Sequence, residues 1–311
     1  MYKIRAPGSL MLFGEHAVLY GGRAVVAAID QSLVVNLIPR NDNYIRISSA
    51  EFGEYWTEID KIKPEGSYQY VLSSILLFAG KISKGFDLLV SSDFSSKLGF
   101  GSSAAISVAT IGAIYRWCYA KPINHSLLYH KALGVVRKVQ GVGSGADVAA
   151  SVFGGVLSYG IEPTHIRRVA DDLPLVVVYS GSKLSTPIVI NQVRKNYGNC
   201  PKLFDKVFDA IDCCSRLATE AIKLKKWRKL GILMNVHQGL HDALGVNTDI
   251  LSSIIFSLRS QEGIFGAKIS GSGLGDCVVA LGEFSDQFFK KNQLGIQQLN
   301  VAVGKEGFSY C

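Results

Sequence analysis

The chain has 311 residues, 48% of them hydrophobic and 19% charged, with a formal net charge of +8. That balance excludes an intrinsically disordered chain, and the length suits two cores better than one. No apolar stretch approaches the roughly 20 residues that a membrane span needs, so no membrane partner is expected.

The opening, MYKIRAPGSLMLFGEHAV, has only a short apolar run with Glu15 soon after it, which does not read as a signal peptide. Residues 24–29 (AVVAAI) and 32–38 (SLVVNLI) read as strands, with turn signals at YGG before them and PRNDN after them. YIRISS and FDLLVSS read as two more strands. Between them, residues 67–82 read as a helix with Ser67 as its N-cap. SSAAISVATIGAIYRWCY is a second helix, rich in small residues and apolar almost all round, which predicts burial.

After SVFGGVLSYG the character changes. LPLVVVYS suits a short buried strand, residues 201–226 and 227–244 read as long helices, and TDILSSIIFSLRSQ as a third. AKISGSGLGDCVVALG closes the series as strand, glycine turn, strand. Strands and helices alternate without the strict rhythm of a doubly wound sheet, so an α+β fold of two lobes is expected, residues 1–165 and 166–311.

Six cysteines show no CxxC pair and no histidine at zinc spacing, which argues for packing roles and a reducing, cytoplasmic setting. The densest basic run, KLKKWRK at residues 223–229, reads as a solvated helix end. A polyphosphate ligand explains the excess positive charge as well as nucleic acid does, and no nucleic-acid motif is present.

Three glycine clusters, at residues 99–101, 141–145 and 271–275, each lie between one element and the next. In LGFGSSAA, Gly99 and Gly101 precede a helix, whose N-terminus carries unpaired N–H groups and a partial positive charge. Such a turn can cradle phosphates, or Ser102 can simply cap a buried helix. It is not a Walker A loop, because no GK[ST] follows. In VQGVGSGADVAAS the turn ends in a single acid, Asp147, either a proton acceptor or the cap of the helix after it. Glu15 and His16 read as a polar pair that lines a site or stabilises a turn.

APGSLMLFGEHAVLYGGRAVV, LGFGSSAA and KISGSGLGDC resemble, in order and spacing, the three motifs of the GHMP kinases, and the resemblance spans the chain from Ala6 to Cys277. LFGEHAVLYG and LGILMNVHQGLHDALGV are most similar to the mevalonate kinase branch. QGVGSGADVAASVFGG and the GDC ending are more similar to the phosphomevalonate kinase branch.

The resemblance implies an N-terminal lobe like ribosomal protein S5 domain 2, a ferredoxin-like C-terminal lobe, and an active site between them. It implies ATP and Mg²⁺ as cofactors and a small-molecule acceptor, mevalonate or phosphomevalonate, with a homodimer compatible. ATP falls to Gly99, Gly101, Ser102, Ser103 and Ala104, with Ser103 also on the magnesium ion. Glu15, His16, Gly271, Ser272 and Gly273 fall to the substrate side, and Asp147 to the acceptor hydroxyl.

Two positions depart from the pattern that the resemblance implies. Ser9 stands where a charge-stabilising lysine is expected, and Val136 where a magnesium-ligating glutamate is. Lys183, in the turn SGSKLSTP, is the candidate substitute for the lysine. Lys131, Arg137 and Lys138 occupy the acid-free stretch around Val136 and would suit an acceptor that already carries a phosphate. The alternatives to a mevalonate kinase are therefore a phosphomevalonate kinase, another small-molecule kinase of the family, or a nucleotide-binding sensor.

Overall fold

The computed structural model describes residues 1–198, 200–283, 289 and 295–311. The first half of the chain supplies seven strands: β1 (Tyr2–Phe13), β2 (Ala24–Pro39), β3 (Tyr44–Ser49), β4 (Gly53–Glu58), β5 (Phe86–Ser92), β6 (Val156–Gly160) and β7 (His165–Ala170). Four helices go with them: α1 (Gln69–Leu76), α2 (Ser102–Tyr119), α3 (His125–Gln140) and α4 (Ala146–Phe153).

The two apolar runs at residues 24–29 and 32–38 form one strand rather than two. β2 pairs with β1 along its length, its first half also pairs with β6, and its second half with β5. Asp30, at the polar break between the runs, stays extended because its amide bonds to the carbonyl of Ala302 from the far end of the chain. The helix expected over residues 67–82 is shorter. Its N-cap is Tyr68 with no side-chain cap, and Ser67 lies in a preceding 3₁₀ turn. After Leu76 the bonds tighten to Phe78 N→Ile75 O and Ala79 N→Leu76 O, and the helix unwinds.

Helix α2 is buried as its composition requires, packed under β1 and β2, with ten of its residues inaccessible. Its small residues let the sheet approach. A Cβ on Gly112 would lie 2.3 Å from the ring of Phe308, which returns from the C-terminus to fill that space.

The second half carries β8 (Leu175–Tyr179), the helices α5 (Thr186–Tyr197), α6 (Pro201–Lys223), α7 (Trp227–Ala243) and α8 (Asp249–Arg259), then β9 (Ile264–Ser270), β10 (Cys277–Gly282) and β11 (Gln297–Leu299). These strands make an antiparallel sheet in the order β11-β8-β10-β9. A last short strand, β12 (Ser309–Tyr310), crosses back to pair with β1, so the first sheet runs β12-β1-β2-β5-β3-β4, with β6 joined to β2 and β7 to β6.

The halves share a core. Leu12, Phe13, Val25 and Val156 from the first sheet pack with Ala218, Ile222, Leu230 and Met234 of α6 and α7 and with Val279 and Leu281 of β10. This common apolar layer fixes the first and third glycine turns relative to each other. The returning ring of Phe308 belongs to the first sheet's own core, and Phe308→Ala is expected to lower unfolding free energy by about 3–5 kcal/mol in a urea titration, the usual cost of a buried Phe→Ala truncation.

Candidate active site

The first strand's end, the loop before α2, the start of α4, the turn after β8 and the β9–β10 turn converge on a cavity of about 460 Å³. Glu15, His16, Gly99, Gly101, Ser102, Ser103, Ala104, Asp147, Lys183, Gly271 and Ser272 all line it. Gly273 does not line it. A Cβ there would lie 2.5 Å from the carbonyl of Val246, so this glycine serves close packing against the loop after α7. A second, more apolar cavity of about 760 Å³ adjoins the first through Gln69, Tyr70, Ser102 and Ser103, and is walled by Phe52, Tyr68, Val90, Phe94 and Ile106.

Ser102 is not the cap of α2. The N-cap is Gly101, left-handed at φ 62° and with no side-chain cap, and the helical ladder opens with Ala104 N and Ala105 N on the Gly101 carbonyl. The amides ahead of that first bond lie at the positive end of the helix, facing the cavity. Gly101 is obligatory for a second reason. A Cβ there would lie 2.1 Å from the hydroxyl of Ser9, so a bulky substitution would disturb the strand as well as any ligand, and is no clean probe of phosphate binding. The hydroxyl of Ser103 accepts from Gln140 Nε2 at 3.3 Å.

Asp147 is not a cap either. The N-cap of α4 is Gly145, φ 92°, and Asp147 lies in the helix's first turn. Its Oδ1 accepts a hydrogen bond from Ser9 Oγ at 2.8 Å. Burial pushes the carboxyl above its ordinary value, while the Ser9 bond and the Lys183 charge pull it back. The residue in the expected lysine's place thus holds the acid directly. Lys183 donates to the Ser96 carbonyl at 3.3 Å, on the approach to the glycine loop before α2. Among the described residues it is the one lysine or arginine that lines the smaller cavity.

Under the cavity lies a charged cluster that the sequence does not announce. Lys268, fully inaccessible, donates to Glu15 Oε1 at 2.6 Å and to the Ile269 carbonyl. Burial lowers the lysine's pKa and the carboxylate raises it again. The other oxygen, Oε2, faces His237 and His241 at 3.7 and 3.9 Å. Burial, reinforced by Lys268 and the neighbouring rings, holds both histidines well below their ordinary range, so they are neutral. Glu15, His237 and His241 bring three donor atoms within 4.8 Å of one another. Yet none of the four ring nitrogens has a hydrogen-bond partner in the protein, and ligand histidines are anchored through their second nitrogen. We read the cluster as an ion pair packed on neutral rings.

His16, left-handed at φ 64°, directs Nε2 to the Ser272 carbonyl at 2.9 Å, tying the first motif to the third. That carbonyl can only accept, so Nε2 is the protonated nitrogen of a ring that burial keeps neutral.

Asp276 is the residue that the sequence reading missed. It lines the cavity, only 5% exposed, with a left-handed backbone (φ 65°) and no partner for Oδ1. Burial is the main cause that raises its pKa to about 6; Asp147 adds to the rise and Lys183 opposes it. The available signal was an acid inside a glycine turn, GSGLGDC, where another glycine is easier to build.

The chain matches the model of the GHMP kinases N terminal domain over residues 69–155 and that of the GHMP kinases C terminal over residues 218–296. It is 36% identical over 296 residues to a protein of Thermococcus sibiricus named mevalonate kinase, covering 89% of this chain and 87% of the relative. The crystal structure of the Methanococcus jannaschii mevalonate kinase superposes with a TM-score of 0.80 at 26% identity, over 97% of this chain and 98% of that one. The fold alone is shared with Streptococcus pneumoniae phosphomevalonate kinase in complex with phosphomevalonate and AMPPNP, at 20% identity and a TM-score of 0.78, over 97% of this chain and 99% of that one.

Two outcomes follow from the buried charges. Lys268→Met strands the Glu15 carboxylate and should cost about 3–5 kcal/mol, much of it recovered in the double variant with Glu15→Gln, as a double-mutant cycle in urea would show. For Asp276 the folded-state pKa, about 6, stands above the ordinary 3.8. The contribution of Asp276 to wild-type stability is then fullest below about pH 4, falls as pH rises through the window from 4 to 6, and stays lower above it, by roughly 3 kcal/mol in all. Asp276→Asn lacks this loss, so its stability relative to wild type should climb across that window in ligand-free protein.

Proposed function

The chain belongs to the GHMP kinase family and is an ATP-dependent small-molecule kinase, and from that premise we propose that its acceptor is mevalonate, phosphorylated to 5-phosphomevalonate for isoprenoid precursor synthesis. The observation that carries the acceptor is the cavity's charge. A phosphorylated acceptor beside a triphosphate needs several cations, and Lys183 is the one such side chain among the described lining residues. Two of the three cations expected for an acceptor phosphate are engaged with the protein itself. Lys131 lies over the ring of Phe78 at 5.6 Å, and Arg137 donates to the Gly143 carbonyl at 3.0 Å. That weighs against phosphomevalonate. Asp147 beside an intact glycine loop weighs against a mere sensor.

In this reading the larger cavity takes the nucleoside, and the phosphates lie over Gly99, Gly101, Ser102, Ser103 and Ala104 at the head of α2. The acceptor occupies the smaller cavity, between Asp147 and the floor formed by Glu15, His16, Gly271 and Ser272. Phosphoryl transfer asks the protein mainly for positioning and charge stabilisation. Asp147, with its affinity for a proton raised by burial, accepts the acceptor hydroxyl's proton, and the Ser9 bond aims the carboxylate. Lys183 supplies positive charge at the transferring group. The donor set fits a magnesium ion, because hard oxygens from Ser103 and the acids face the place of the phosphates. Such an ion, when bound, neutralises phosphate charge.

We divide the chain into a nucleotide lobe, residues 1–165, and an acceptor lobe, residues 166–311, of which β7 and β12 attach to the first sheet. Six free cysteines support a reducing cytoplasmic setting. Among the described residues no helix is long and apolar enough to cross a membrane.

ADP release measured with mevalonate, phosphomevalonate, homoserine and sugars should give turnover with mevalonate. Preference for phosphomevalonate would overturn the acceptor assignment. Asp147→Asn should lower kcat by about 10²–10⁴-fold with little change in nucleotide affinity. Lys183→Met should lower kcat as well, and an undiminished kcat would remove Lys183 from the mechanism.

A further inference from the structure

Asp276 and Asp147 stand on either side of the phosphate loop. A Cβ on Gly101 would lie 3.3 Å from the Asp147 Cβ, and one on Gly99 would lie 2.8 Å from Asp276 Oδ1. Gly271, across the cavity, would meet Asp276 Oδ2 at 3.0 Å in the same way. Two glycines from different motifs thus leave space for one carboxylate, which a left-handed backbone holds in place and which has no partner for its Oδ1. Cys277, the next residue, turns its sulfur to the Leu98 carbonyl and offers the acid nothing. Lys183 is the one charge among the described lining residues that attracts both acids, and one lysine cannot neutralise two carboxylates.

A bare triphosphate brought to this helix N-terminus would meet two buried negative charges, and like charges at a few ångströms in a water-poor cavity repel strongly. A divalent cation reverses the sign of that interaction. It takes carboxylate and hydroxyl oxygens readily, and Ser103 offers its hydroxyl from the same loop.

We infer that Asp276 is a ligand of the divalent cation that enters with the nucleotide, filling the acidic role for which Val136 offers no oxygen and leaving Asp147 to take the acceptor's proton. This rests on the kinase reading above. It makes the third glycine turn part of the metal site as well as of the floor under the acceptor.

The test is the affinity of the β,γ-imido analogue of ATP, measured by calorimetry in magnesium and again in EDTA. In wild type the two affinities should differ by about 100-fold, within the range of coupled ligands. Asp276→Asn should bind the magnesium form more weakly and the metal-free form more tightly, narrowing the ratio to less than about tenfold. Asp276→Gly should do the same and is the safer variant for folding, because glycine accepts the left-handed backbone without strain. An unchanged ratio in both folded variants would overturn the assignment of Asp276. No nucleotide binding by wild type in either buffer would overturn the kinase reading itself.

Discussion

The hydrogen bond from Ser9 Oγ to Asp147 Oδ1 joins the first strand to the first turn of α4 across 138 residues, and the site is arranged around it. Gly101 is glycine because the serine hydroxyl occupies the space a side chain would need. The left-handed turn at Gly101 in turn sets where α2 begins and where its free amides point. One contact therefore fixes the acid, the glycine loop before α2 and the strand together. At a place where a long cation is expected, the short side chain of Ser9 sets the acid's position and moderates its pKa, and the lysine that lines the cavity, Lys183, stands on the opposite lobe.

That opposite lobe is held by two ties. His16 grips the third glycine turn through the Ser272 carbonyl, and Lys268 pairs with Glu15 beneath the cavity floor, 253 residues away in sequence. The ion pair is fully desolvated, so it is weak evidence for net stability; breaking it is costly because the surviving charge has no water to turn to. Its consequence is geometric. Both oxygens of Glu15 are turned toward Lys268 and the two neutral histidines, so this glutamate shapes the floor through its backbone and its buried pair.

Local signals in the sequence had clear structural counterparts. The glycine clusters, the all-apolar α2 and the short strand after Pro174 are written in residues close together in the chain, and each formed as read. The failures are where long-range contacts decide. The polar break at Asp30 does not end β2, because a distant carbonyl satisfies its amide. Ser102 and Asp147 look like caps from their neighbours, yet left-handed glycines do the capping and leave both side chains to the cavity. Lys268, His237 and His241 look like an ordinary strand lysine and two helix histidines. Only the fold, which brings Glu15 to them, makes them a cluster. Asp276 was hidden by its company, since a glycine-rich turn suggests backbone chemistry and draws attention from the one acid within it.

The catalytic reading turns on Asp147 taking the acceptor's proton and on Ser9 setting its readiness to do so. Ser9→Ala tests this most directly, because it removes a bond that lowers the pKa of Asp147 and leaves burial to raise it. The pH profile of kcat/KM with mevalonate and saturating ATP should keep its shape, with the acidic limb displaced to higher pH in the variant. An acidic limb that stays where it is in wild type, in a variant of unchanged fold, would contradict the claim.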